Sequence, residues 1–267
     1  MNKFTLRSIG ALILSFLLIF SVACTNGDKK EKSTAKEGKA VELTISAAVS
    51  LQDALKEIEK QYKEKEPNIK LSFNFGASGA LQQQIEQGAP ADLFFSAAED
   101  KFQILVKKGF INEKEGKNLL GNELVLVIPK ESSLTKFQDL KDEKIKKIAL
   151  GTPESVPAGK YAKASLTQEN LWNDVQNKVV FTKDVRQVLT YVETGNVDAG
   201  IVYKTDALIS NKVKIGETAA ISHEPIHYPL GVIKESKHKK EATSFYEYLQ
   251  SKDAQSIFKR YGFTVLS

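Results

Sequence analysis

A chain of 267 residues, 42% hydrophobic and 27% charged, has the make-up of a soluble globular protein with room for one large domain or two modest lobes. That balance excludes a disordered chain and a multi-span membrane protein. The net charge is +5, and subtracting Lys3 and Arg7, which lie in a segment expected to be removed, leaves +3. So mild a charge, on lysines spread along helices and a linker without interleaved aromatics, gives no footprint for nucleic acid.

The first 24 residues read as a targeting signal. Lys3 and Arg7 supply the positive start, and residues 9–23 form an apolar run shorter than the ~20 residues that span a bilayer. The run ends in Ser21-Val22-Ala23-Cys24. Cys24 is the only cysteine, so an internal disulfide and a metal site built on several thiolates are both excluded. The layout resembles a bacterial lipoprotein signal, although Ser21 stands where Leu is usual. That resemblance implies a signal peptide over 1–23, a lipid on Cys24 and anchorage at the extracytoplasmic face of the cell membrane. Residues 25–40 are small and charged without any apolar period, so 24–40 reads as the lipidated cysteine with a flexible tether.

The mature chain opens with two β–turn–α units. Residues 42–47 alternate as a strand, and Ala48-Val49-Ser50 leads into a helix with Leu51, Ala54, Leu55, Ile58 and Tyr62 on one face. Residues 71–75 alternate again, and Gly76-Ala77-Ser78-Gly79 turns the chain into a short helix with Leu81 and Ile85 inward. Gly88-Ala89-Pro90 then feeds Leu93-Phe94-Phe95, an apolar run suited to a fully buried strand. The succession predicts an α/β fold with largely parallel sheets, whose ligands gather at the carboxyl ends of strands.

Residues 101–117 read as helical in part, with a break at Gly121, and 124–128 as a buried central strand closed by Pro129. Residues 137–140 with their lysines read as a solvated helical loop. A short strand at 148–150 delivers the chain into Gly151-Thr152-Pro153-Glu154-Ser155-Val156-Pro157-Ala158-Gly159, a held turn open to close approach. From Lys160 a helix follows, with Tyr161, Ala164 and Leu171 as inward candidates. Ala158, near its first turn, has only an N–H to offer.

A strand at 179–181 leads through Thr182-Lys183-Asp184, a good N-cap region, to a helix carrying Val185, Val188, Leu189 and Val192. Residues 198–203 form a strand that places Tyr203 at its carboxyl end. Signals then weaken until a strand at 228–233. Two closing helices are lined by Ala242, Phe245, Tyr246 and Leu249, and by Ala254, Ile257, Phe258 and Tyr261.

One Ser at a strand-to-helix turn is an ordinary helix cap; its recurrence carries the functional case. Helix N-termini at Ser50, Ser78, Ala158 and Val185, joined by the Tyr203 hydroxyl, point at one centre if two lobes face each other. All these groups are neutral, so such a site holds an anion by oriented dipoles. Here the sequence resembles a family. AAVSL around Ser50, GASGAL around Ser78 with QIEQGAPADLFFSA, PESVPAGKYA around Ala158, DVRQVL around Val185 and DAGIVY ending at Tyr203 together resemble the molybdate-binding proteins of bacterial ABC transporters. The likeness covers about residues 41–267.

The resemblance implies a type II periplasmic-binding-protein fold, α/β, of two lobes, each a mainly parallel sheet flanked by helices. It places lobe 1 at 41–121 plus 224–267 and lobe 2 at 122–223, with two crossing strands as hinge. It also implies oxyanion binding by Ser50, Ser78, Ala158, Val185 and Tyr203, which touch the oxygens of molybdate or tungstate and not the metal itself. No further cofactor is implied. The partners would be a permease with its ATPase and, through Cys24, the membrane; the protein would be a monomer.

A lining of donors suits a tetrahedral dianion without a proton, because hydrogen phosphate carries an O–H in need of an acceptor. Sulfate is smaller and would leave donors stretched, whereas tungstate nearly matches molybdate. A same-fold receptor for sulfate, phosphate or a small organic acid is the alternative. A carboxylate usually wants a bidentate Arg, which none of the five positions supplies; Lys160 and Arg186, each adjoining a pocket residue, are the cations such a site would recruit. An enzyme fits poorly. Ser78 has Gly76 two residues before it but Ala80 two after, which breaks the nucleophile-elbow pattern, and His223, His227 and His238 read as solvated or loosely packed.

Overall fold

The computed structural model describes residues 40–219 and 224–266; the signal, Cys24, nearly all of the tether and His223 lie outside them. Alternation of apolar residues sets the first strand, β1 (Val41–Ala48), in which Leu43, Ile45 and Ala47 are wholly buried. There follow α1 (Gln52–Lys65), β2 (Ile69–Gly76), α2 (Ser78–Glu86), β3 (Leu93–Phe95), α3 (Glu99–Lys107) and β4 (Ile111–Asn122). All five inward positions expected on the first helix are buried: Leu51, Ala54, Leu55, Ile58 and Tyr62.

The chain then passes into β5 (Leu124–Pro129), β6 (Ile148–Gly151), α4 (Pro157–Gln168), α5 (Trp172–Val175), β7 (Val179–Thr182), α6 (Val185–Glu193), β8 (Ala199–Tyr203), α7 (Lys204–Leu208) and β9 (Val213–Thr218). It returns through β10 (Ile226–Ile233), α8 (Lys239–Leu249), α9 (Lys252–Arg260) and β11 (Thr264–Val265). Two sheets result. The first runs β11-β4-β10-β3-β1-β2 and the second β7-β6-β8-β5-β9.

Both sheets are mixed. The β1–β2, β1–β3, β6–β7 and β6–β8 pairs are parallel, and the strands that carry the chain between the sheets pair antiparallel. Asn122 of β4 pairs with Ile226 of β10, and Ala219 donates to the Leu124 carbonyl at 2.9 Å, so outgoing and returning chains cross side by side. The architecture is the two-lobed α/β periplasmic-binding-protein fold, with β–turn–α units facing the crossing.

Several local expectations change. Residues 111–122 are one long strand, with Gly121 inside it rather than at a break. Its charges are tolerated because β11 covers only its end, at Leu120 and Gly121, and the rest is an edge. Phe137 and Leu140 are buried, so the 137–140 loop is anchored in the core. In α4 the packed face is Ala158, Tyr161, Ala162, Ser165 and Leu166, and Ala164 is exposed. In α8 the buried tyrosine is Tyr248; Tyr246 is half-buried.

One close approach sets the second lobe. A Cβ on Gly159 of α4 would lie 1.9 Å from the Gly151 carbonyl oxygen at the end of β6, backbone that cannot step aside. Gly159→Ala should cost about 2 kcal/mol or more of unfolding free energy, read as a lowered urea midpoint; an unchanged midpoint would show that helix and strand part without penalty.

Candidate functional site

Ser50, Ser78, Ala158, Val185 and Tyr203 lie at the carboxyl ends of β1, β2, β6, β7 and β8, and the structure brings all five to one cavity. Ala48, Gly76, Ala97 and Pro157 complete its near walls. The five are at most 4% exposed. The cavity is narrow: it leaves about 10 Å³, roughly the room of one water-sized sphere, so only a compact group has a place there.

The donors come from helix starts. Ser78 and Val185 open α2 and α6, and Ala158 follows Pro157 in α4. No side chain caps α2 or α4, and the Asp184 carboxylate at α6 takes the N–H of Gln187, not that of Val185. First-turn N–H groups have no partner inside their own helix and carry the positive end of its dipole. Ser50 sits in a single 3-10 turn before α1.

The hydroxyls are already oriented. The Ala97 N–H donates to Ser78 Oγ at 2.9 Å, which leaves the Ser78 hydrogen free for another acceptor. Ser50 Oγ lies 2.9 Å from the Tyr228 hydroxyl. The Tyr203 hydroxyl donates to the Ala97 carbonyl over a long 3.4 Å. Burial pushes both Tyr203 and Tyr228 well above the usual phenol range, so both keep their protons.

The lobes touch around the cavity. Gly79 N–H donates to the Ser155 carbonyl at 3.0 Å, and Lys101 Nζ to the Glu154 carbonyl at 3.2 Å. Lys160 pairs with Asp100 at 3.1 Å. Arg186 pairs with Asp53 across the cleft at 2.6 Å and with Asp206 of its own lobe at 2.5 Å. Neither Lys160 nor Arg186 lines the cavity, whose walls stay neutral. Among the described residues no cluster of three or more His, Cys, Asp or Glu is placed to hold a metal ion.

Sequence reasoning missed Tyr228 and Asn122, which stand behind Ser50. It also missed that His227 meets Glu99 at 3.1 Å and Asn118 at 3.3 Å; His238 precedes α8, away from the cavity. A larger hollow of about 280 Å³ beside the crossing strands, walled by Gly121, Asn122, His227 and Thr264, gathers no helix starts and opens to solvent.

A small neutral cavity shut between two α/β lobes is the build of a protein that holds a solute. The bacterial extracellular solute-binding protein family matches residues 43–264, and the chain belongs to that family, which is non-enzymatic. It is 56% identical, over 95% of its length and 96% of the relative's, to the "Putative ABC transporter substrate-binding lipoprotein YvgL" of Bacillus subtilis. It is 38% identical to the molybdate-binding protein ModA of Escherichia coli, over 94% of this chain and 98% of that one. The solved "substrate binding domain of putative molybdenum ABC transporter from Clostridium difficile" is 46% identical with a TM-score of 0.67, covering 85% of this chain and 100% of that one.

Asp206 gives the site a pH signature. Burial raises its carboxyl to about 6 against the pull of Arg186. A folded-state value above the ordinary 3.8 favours the folded protein most below pH 3.8, and that advantage is lost as the pH rises through about 6. The stability gap between wild type and Asp206→Asn should therefore move against wild type as thermal melts are taken from pH 4 to about pH 7. A constant gap would place Asp206 at its ordinary value.

Proposed function

We propose that this protein captures molybdate, and with it tungstate, between its lobes and delivers the ion to a membrane permease driven by an ATPase. The observation that carries the proposal is the gathering of Ser50, Ser78, Ala158, Val185 and Tyr203 around one neutral cavity, with N–H and O–H groups as its polar lining. Their contacts are to the oxygens of the ion, not to its metal. Hydrogen bonds to a charged group contribute ~1.5–3 kcal/mol each, so several suffice without an Arg or Lys. The name carried by the Escherichia coli relative supports molybdate as the ion.

In this reading lobe 1 is 41–121 plus 224–267, lobe 2 is 122–223, and the crossing strands are the hinge. The open form exposes the cleft; the dianion bridges both lobes and shifts the population to the closed form, which docks on the permease. The protein acts as a monomer.

Calorimetric titration of the chain from Thr25 onward with molybdate, tungstate, sulfate and phosphate tests this. Tight one-to-one binding of molybdate and tungstate is expected, with little heat from the other two. Ser50→Ala and Ser78→Ala should each weaken binding at least several-fold, on the order of one charge-assisted hydrogen bond. Silence with molybdate and a response to sulfate or phosphate would move the substrate within the same fold.

We also place the protein on the extracytoplasmic face of the membrane through lipid on Cys24; the lipoprotein name of the Bacillus subtilis relative supports this, and no described helix is long and apolar enough to cross a bilayer. Cys24→Ser should shift the protein from the membrane fraction to the soluble extracytoplasmic fraction. Retention in the membrane would argue for another anchor.

A further inference from the structure

Both cavity serines have an acceptor position on Oγ that a neighbouring donor can fill, but they are served differently. Ser78 receives the backbone N–H of Ala97, a donor that cannot reverse. Ser50 faces the Tyr228 hydroxyl at 2.9 Å, and between two hydroxyls either can donate. What decides the direction lies one residue further out. Asn122, at the end of β4, accepts the Glu123 N–H on its Oδ1 at 2.9 Å, which fixes the side-chain amide with Nδ2 turned the other way. That Nδ2 donates to the Tyr228 hydroxyl at 3.1 Å and to Thr205 Oγ1 at 2.9 Å. Tyr228, wholly buried, thus accepts from Asn122. The neighbouring Tyr203 hydroxyl, which keeps a proton of its own, stands to it as a donor, so the single Tyr228 proton is left for Ser50. Ser50 then accepts from Tyr228, and its own hydrogen has the cavity as its remaining outlet.

We propose that Tyr228, oriented by Asn122, is a specificity-determining positioning residue: it fixes Ser50 as a donor toward the cavity and so turns the site against oxyanions that carry a proton. Neither residue touches the ion; both act through the polarity of Ser50. The inference rests on the oxyanion reading above and adds to it the reason a rotatable hydroxyl does not simply turn to accept. A hydrogen-phosphate dianion has one O–H, and against two serines committed to donating, that O–H faces another hydrogen. An unprotonated tetrahedral dianion has no such conflict.

The arrangement is reversible by one nearly isosteric change. In Asn122→Asp the Oδ1 contact to Glu123 N–H is kept, while the former Nδ2 position becomes an acceptor. Tyr228 and Thr205 are both hydroxyls and turn to donate to it. Ser50 then donates to Tyr228 and presents a lone pair to the cavity. The added negative charge repels every dianion alike, so it cancels in the ratio of two dianion affinities.

The test is the molybdate-to-phosphate affinity ratio, measured by calorimetry and by competition, at a pH where phosphate is the hydrogen-phosphate dianion. For Asn122→Asp the ratio should fall at least about tenfold, equal to ~1.4 kcal/mol. Tyr228→Phe keeps the packing and removes the relay; it should lower the ratio in the same direction by a smaller factor, with melting temperatures confirming that both variants fold. Wild-type binding of molybdate with parallel losses for both ions in the variants, and an unchanged ratio, overturns this inference alone. Wild-type protein that binds neither ion overturns the oxyanion reading and this one with it.

Discussion

A doubly charged ion leaving water must regain nearly all of its hydration from the protein, and burying such a charge without compensation costs tens of kcal/mol. Under the proposed function this cavity would answer with neutral groups: helix-start N–H donors and hydroxyls, each contributing ~1.5–3 kcal/mol to a charged partner. Neither lobe holds enough of them. The first lobe brings Ser50 and Ser78, and the second brings Ala158, Val185 and Tyr203. Completion therefore requires the lobes to meet, and the rest of the chain is arranged around that requirement. Each donor sits where a strand ends, because only there does the backbone release N–H groups from sheet pairing and offer them as a helix begins.

The cations are handled consistently with this. Arg186 and Lys160 stand one and two residues from cavity residues in sequence, yet neither lines the cavity and both are held by carboxylates: Arg186 by Asp53 and Asp206, Lys160 by Asp100. A cation inside the cavity would strengthen binding of any anion and weaken discrimination among them, since charge alone does not distinguish one dianion from another. Placed on the rim, the same cations join one lobe to the other. Arg186 keeps Asp206 within its own lobe while reaching Asp53 across the cleft, so the proposed opening would free only one of its two partners.

The cavity was legible in the sequence because each of its residues belongs to a short local pattern. A strand period, a glycine or proline turn and a helix period appear within a dozen residues, and Ser50, Ser78, Ala158 and Val185 fall at the handover each time. What lies behind the cavity was not legible. Tyr228 reaches Ser50 across 178 residues of sequence, and Arg186 reaches Asp53 across 133; nothing local to either marks the pairing. The long β4 strand was hidden for another reason. Its run Asn112-Glu113-Lys114-Glu115 carries charges suited to a helix surface, and only its edge position in the sheet makes them compatible with a strand.

The contact between Gly79 and the Ser155 carbonyl carries a further consequence. A Cβ on Gly79 would come within 2.7 Å of that oxygen, so the two lobes meet there backbone to backbone with no side chain between them. Backbone does not change rotamer, and it yields only by small bond-angle and torsional strain. The meeting point is therefore a mechanical stop, and it fixes the jaw opening of the closed molecule as a caliper does. Under the proposed function, an ion too small would leave the jaws touching before its oxygens reached both sides, and one too large would keep the Gly79 bond from forming. Tolerance in ion diameter would then be bounded by this main-chain contact.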